Sequence, residues 1–141
     1  MAKDAVSLDL SDFDAVGIAG AVVDVVRSQA ITRGVDVAAT VSAPSGWHRV
    51  VVTGRQSGHV VLSVRYPSLT TSRRHNLDDA LAKRGWDLDE DNEGATHRIP
   101  PGTEPAIAAF ELLAAVTLAG APVDVRQITA ADASGVAVPL G

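Results

Sequence analysis

Three runs of apolar/polar alternation, set one after another between residues 35 and 66, constrain this chain more than any other feature. In the first, Val35, Val37, Ala39 and Val41 face one way and Asp36, Ala38, Thr40 and Ser42 the other. Pro44-Ser45-Gly46 then turns the chain, and His48, Val50 and Val52 alternate with Trp47, Arg49, Val51 and Thr53. After Gln56-Ser57-Gly58, Val60, Leu62, Val64 and Tyr66 alternate with His59, Val61, Ser63 and Arg65. Successive side chains of a strand point to opposite faces. Period-two runs between turn clusters therefore predict an antiparallel meander with one buried face.

Spacings of three and four flank the meander. Val16, Ala19, Val22, Val23, Val26 and Ala30 predict a helix over about 12–32, with Ser11 as N-cap, Asp14 three residues on and Gly34 as the stop. Asn76 is expected to cap a short helix carrying Leu77, Ala80 and Leu81, with Pro67 to His75 as a polar connection before it. Gly85 ends that helix, and Trp86 falls where a Schellman motif packs an apolar residue back on Leu81. A hairpin follows, from Trp86 to about Glu90 and from Ala95 to Ile99, around Asn92-Glu93-Gly94. Thr103 is expected to cap a last helix with Pro105 in its first turn. Its expected buried face is Ile107, Phe110, Leu113, Ala114, Thr117 and Leu118, and Gly120 and Pro122 stop it. Residues 123–128 read as a possible final strand.

The expected order is α-βββ-α-ββ-α, with helices covering an antiparallel sheet, which is an α+β architecture. Residues 1–10 read as a mobile arm, 11–128 as a single domain and 129–141 as a loose tail. A chain of 141 residues buries roughly 70% of its unfolded surface, so it builds a core without staples. With 46% hydrophobic and only 4% aromatic residues, that core is aliphatic.

The composition also excludes function classes. A net charge of −5 argues against a phosphate-binding surface, and so against nucleic acid. The absence of cysteine excludes disulfides, thiolate nucleophiles and thiolate-bound zinc. MAKDAVSLDLSDFD has no apolar core of a signal peptide. Ala15 to Val23, the longest near-apolar run, is cut by Asp24 and is too short to span a bilayer. A cytoplasmic protein without a membrane segment is expected.

No residue set announces a chemistry. The acidic run Asp87, Asp89, Glu90, Asp91, Glu93 fails as a calcium loop. Started at Asp87, it has Asn92 where the loop needs glycine and Arg98 where it needs glutamate; started at Asp89, it ends on Pro100. The run reads as a solvated hairpin tip. His48, His59, His75 and His97 lack metal-ligand spacing. Gly17-Ile18-Ala19-Gly20 lacks the spacing and the preceding strand of a dinucleotide loop. No catalytic residue, metal ligand or cofactor is expected. Arg73-Arg74, near Arg65 and Arg84, is the one basic cluster and reads as a solvated loop.

The short helix ending Leu81-Ala-Lys-Arg-Gly85-Trp86, the hairpin, its proline and the long aliphatic helix together resemble the actinobacterial type III secretion chaperone-like proteins (TY-Chap domains). These are related to the YbjN sensory-regulator-like family. The resemblance covers about residues 12–125 and includes the order of elements. It implies a small α+β homodimer that binds protein and performs no chemistry. Trp47, Val22, Val23, Val26, Tyr66, Leu77, Leu81 and Trp86 are then the expected partner or dimer contacts. Two alternatives belong to other classes. One is a small-molecule or enzymatic site on the meander face around His48, His59 and Arg65. The other is a structural subunit docking through the helix at Gly17 and Gly20.

Overall fold

The computed structural model describes residues 5–9, 13–42, 49–66, 70–90, 93–119 and 125–140. Their elements run β1 (Ala5–Leu8), α1 (Ala15–Arg33), β2 (Val37–Ser42), β3 (Arg49–Gly54), β4 (Val60–Arg65), α2 (Thr71–Lys83), β5 (Asp87–Leu88), β6 (Gly94–Ile99), α3 (Pro105–Ala119), β7 (Arg126–Asp132) and β8 (Ala137–Val138). The fold is α+β. The strands form one antiparallel sheet in the order β1-β7-β2-β3-β4-β6-β5, and β8 pairs with β7.

The alternation sets the register. Ile128, Val41, Val50, Val64 and Ala95 lie side by side across β7, β2, β3, β4 and β6. Ala130, Ala39, Val52 and Leu62 form the next apolar row. All nine are buried. Burying a valine or leucine stabilises by roughly 1.5–3 kcal/mol, so these rows supply much of the driving force.

Helix α1 lies on β2 and β3 and against α3. By length and composition alone it would cross a membrane. In the fold, Ala15, Ala19, Val22, Val23, Val26 and Ala30 are buried. Two glycines bring the layers close. A Cβ on Gly54 of β3 would lie 2.2 Å from the Val26 carbonyl oxygen, so α1 sits directly on the strand backbone there. A Cβ on Gly20 would lie 3.9 Å from Ala109 Cβ of α3. The small-residue face of α1 at Gly20 is thus taken up inside the chain, while Gly17 faces open space.

Several boundaries differ from expectation. Helix α1 begins at Ala15 with Asp14 at the N-cap position and no side-chain cap; Ser11 lies outside the described residues. Helix α2 begins at Thr71, because the Thr70 hydroxyl accepts from the Arg73 N–H at 3.4 Å and caps it early. Arg73, Arg74 and His75 are therefore helical rather than a connection. The expected arm and tail both carry strands: β1 and β8 each pair with β7, which lies beside β2. Arg126 of β7 is fully buried and donates to the Val116 carbonyl at 3.2 Å. A cation suits the carbonyl-rich C-terminal end of α3.

The helices pack on the face carrying the valine rows. On the other face Ala38, Thr40, Val51, Thr53, Val61 and Ser63 are half-buried by their strand neighbours, and no described helix covers them.

Candidate functional site

The junction between α2 and the hairpin is built by Gly85. Its φ of +89° is a left-handed conformation that glycine adopts without strain. The Gly85 N–H donates to the Ala82 carbonyl at 3.0 Å and the Trp86 N–H to the Leu81 carbonyl at 3.1 Å. That pair is a Schellman motif, as the Gly85-Trp86 spacing predicts. Trp86 is turned inward, stacks on His97 with ring centroids 5.4 Å apart, and donates its indole N–H to Glu111 of α3 at 3.0 Å. Arg84 grips the same carboxylate through two nitrogens at 3.2 and 3.0 Å. Burial works to raise the Glu111 pKa. The hydrogen bonds from Trp86 and Arg84, with the charges of Arg84 and His97, outweigh it and hold the carboxyl below its usual range.

This anchoring fixes which face of α3 looks outward. Ala108, Ala109, Leu112, Ala115 and Val116 are buried. Ile107, Phe110 and Leu118, three residues of the expected buried face, are 51%, 55% and 40% exposed. The correction has a physical cause. Between Pro105 and Ala119 the helix has one charged residue, Glu111, so it is apolar nearly all round and periodicity does not choose a face. Packing chooses the alanine face, because small side chains let α3 approach α1 at Gly20. What remains outside is an apolar stripe. Beside it, Ala80 and Arg84 of α2 and Ala114, Thr117 and Leu118 of α3 line a groove of about 390 Å³.

The residues expected to meet a partner are placed elsewhere. Val22, Val23, Val26, Tyr66, Leu81 and Trp86 are at most 3% exposed and Leu77 is 7% exposed, all within the chain's own core. In the single chain they present almost no surface to a partner. Trp47 lies outside the described residues, as does His48.

The expected meander site is also divided. His59 and Arg65 lie six positions apart along β4 and the residue before it, about 20 Å at roughly 3.3 Å per residue. Arg65 is held by the acidic hairpin: it donates to Asp89 at 2.9 Å and lies 3.6 Å from Glu93. Thr96 also donates to Asp89, at 3.2 Å. Part of the acidic run is therefore spent on clasping β4 to the hairpin. Gly94 is enclosed in this clasp, since a Cβ there would lie 2.5 Å from the Val64 carbonyl oxygen. Tyr66, next along, donates its hydroxyl to Asp78 of α2.

His59 instead joins a different set. With Arg55, Ser57, Val61 and Arg98 it lines a second depression of about 390 Å³ on the uncovered sheet face. Arg55, Ser57 and Arg98 are not singled out by the sequence. Arg55 and Ser57 reach it from the turn between β3 and β4, and Arg98 joins them because β4 pairs with β6 across the intervening α2, which places Arg98 opposite Val61. Among the described residues no three histidine, aspartate or glutamate side chains are grouped to hold a metal ion.

No family model, curated protein or solved structure matches this chain.

Proposed function

We propose that this chain is a non-enzymatic, cytoplasmic protein-binding domain, chaperone-like or regulatory in role, that works as a homodimer through α3. The observation that carries the reading is the exposed stripe of Ile107, Phe110 and Leu118. Apolar side chains grouped on one helix face mark an interaction surface more often than singly exposed ones do.

The stripe suits a second copy of itself. Two α3 helices crossing antiparallel about Ala114 bring Phe110 of each copy beside Leu118 of the other. The small Ala114 at the centre permits close approach. The groove lined by Ala80, Arg84, Ala114, Thr117 and Leu118 lies where that phenyl ring would arrive. Knob and hole on one patch make the contact isologous, so it closes at two copies. Aromatic anchors seated in such pockets dominate interface energies.

Sedimentation velocity of the wild type and of Phe110→Asp is the test. A dimeric wild type and a monomeric, folded variant are expected. A wild type that stays monomeric at micromolar concentration overturns the reading.

A further inference from the structure

A second site lies on the opposite face of the sheet. The depression lined by Arg55, Ser57, His59, Val61 and Arg98 holds two guanidinium groups, an imidazole and a hydroxyl, and no carboxylate lines it. This is notable in a chain of net charge −5.

The depression is built on a fixed turn. The Arg55 N–H donates to the His59 carbonyl at 2.9 Å and the Gly58 N–H to the Arg55 carbonyl at 3.0 Å. Gly58 has φ of +90°, and a Cβ there would touch Pro101 at 3.5 Å. Asp36 stands behind the turn, accepting from Arg55 Nη1 at 3.0 Å and from the Gln56 N–H at 3.2 Å. It orients Arg55 and offsets its charge. Arg98 forms no ion pair among the described residues. It projects beside Val61, its register partner on β4.

Ser57 Oγ and His59 Nδ1 are 3.0 Å apart. The bond leaves a donor for a ligand whichever way it runs. If the hydroxyl donates to Nδ1, the neutral ring carries its proton on Nε2. If Nδ1–H donates, the hydroxyl proton turns outward. A flat carboxylate is satisfied by one guanidinium fork. Two forks with a third donor fit a tetrahedral oxyanion better, and arginine is the residue suited to phosphate.

We propose that this depression binds the phosphate group of a small anionic ligand, with Arg98 supplying the principal charge and Arg55, His59 and Ser57 the remaining donors. Val61 forms an apolar floor for the part of the ligand next to the phosphate.

The site is independent of α3, so its failure leaves the dimer reading standing, and the reverse. The test is a two-dimensional amide NMR titration of the full chain with inorganic phosphate, glycerol 3-phosphate and acetate, each at matched ionic strength. Saturable shifts confined to residues around 55–61 and 98 are expected with the two phosphates. Arg98→Ala should weaken them about tenfold or more, the scale of a lost charge-assisted hydrogen bond. Arg73→Ala, an exposed arginine on α2, should leave them unchanged. Tighter binding of the ester assigns a phosphate ester as ligand, and equal binding assigns the free anion; both support the site. Equal shifts with acetate, no saturation, or an unaffected Arg98→Ala variant would overturn it.

Discussion

The indole N–H of Trp86 donates to the Glu111 carboxylate at 3.0 Å, joining the start of the hairpin to α3. Arg84 holds the same carboxylate from the end of α2. Three elements thus meet on one side chain, and the orientation of the exposed α3 stripe depends on it.

Removing that carboxylate leaves the Trp86 N–H buried and unsatisfied. Glu111→Ala should therefore lose roughly 1–3 kcal/mol, the penalty of an unpaired buried donor. The Glu111 pKa is depressed in the fold, so its contribution is present above the unfolded carboxylate pKa and lost as pH falls through the lower folded value. Urea unfolding across that acid range should show a steeper loss of stability for the wild type than for Glu111→Gln. Parallel pH profiles would show that the contact contributes nothing.

The two faces of α3 should respond oppositely to truncation. Leu112→Ala opens a cavity in the core and should cost about 2–5 kcal/mol. Ile107→Ala removes exposed surface and should stay within about 0.5 kcal/mol, measured below the concentration at which copies associate. The reverse order would mean that the periodicity-based face, not the alanine face, is the buried one.

That helix also shows where the sequence stops being legible. The meander is readable because Val37, Val41, Val50, Val52, Val60 and Val64 fall at period two, and one register buries all six while Val51 and Val61 stay half-buried on the other face. The Gly85-Trp86 junction is readable because a left-handed cap needs glycine. The buried face of helix α3 is not, because Ile107, Phe110 and Leu118 make as good a stripe as Ala108, Leu112 and Val116, and the choice is made by tertiary contacts: Gly20 of α1 against Ala109, and Trp86 and Arg84 on Glu111. Strand β7 is faint for a related reason: its inward side offers Arg126, Ile128 and Ala130, of which one is a large apolar residue. The depression at Arg55, His59 and Arg98 is invisible in the sequence because β4 and β6 are joined through a helix and a hairpin. The partner surface assigned to Val22, Val23, Val26 and Leu81 follows from their hydrophobicity alone, which the core claims first.

Glycine substitutions separate close approach from mere helix propensity. At Gly54 a methyl group would meet the Val26 carbonyl oxygen at 2.2 Å, its carbon at 2.5 Å and the Arg27 nitrogen at 2.9 Å. All three are backbone atoms of α1, which has to move as a unit. Gly54→Ala should cost roughly 1–3 kcal/mol or more, the range of an overpacked core. Gly17, with nothing within 4 Å, is the control. Gly17→Ala should stabilise by up to about 1 kcal/mol through helix propensity. Chemical denaturation of the two variants should shift in opposite directions; a tolerated Gly54→Ala would mean that α1 does not rest on β3.

Tyr66 is the only tyrosine, so ultraviolet absorbance reads its ionisation alone. It is 1% exposed, and its hydroxyl donates to Asp78 of α2. Burial, first, and then the Asp78 hydrogen bond and the charges of Asp78 and Asp89 push its pKa well above the ordinary 10.0, with Arg65 opposing. A folded pKa raised above the unfolded one gives stability that is complete below the unfolded value and is lost as pH climbs above it. The phenol should therefore stay protonated while the chain is folded, and tyrosinate should rise only together with loss of the circular dichroism signal. Tyr66→Phe keeps the ring and strands Asp78 without its donor, for a loss of roughly 1–3 kcal/mol at neutral pH. Its stability should then fall less steeply than the wild type's on the alkaline side. Tyrosinate forming at the ordinary phenol pH in a folded chain would mean that the Tyr66–Asp78 contact, which ties α2 to the residue after β4, is absent in solution.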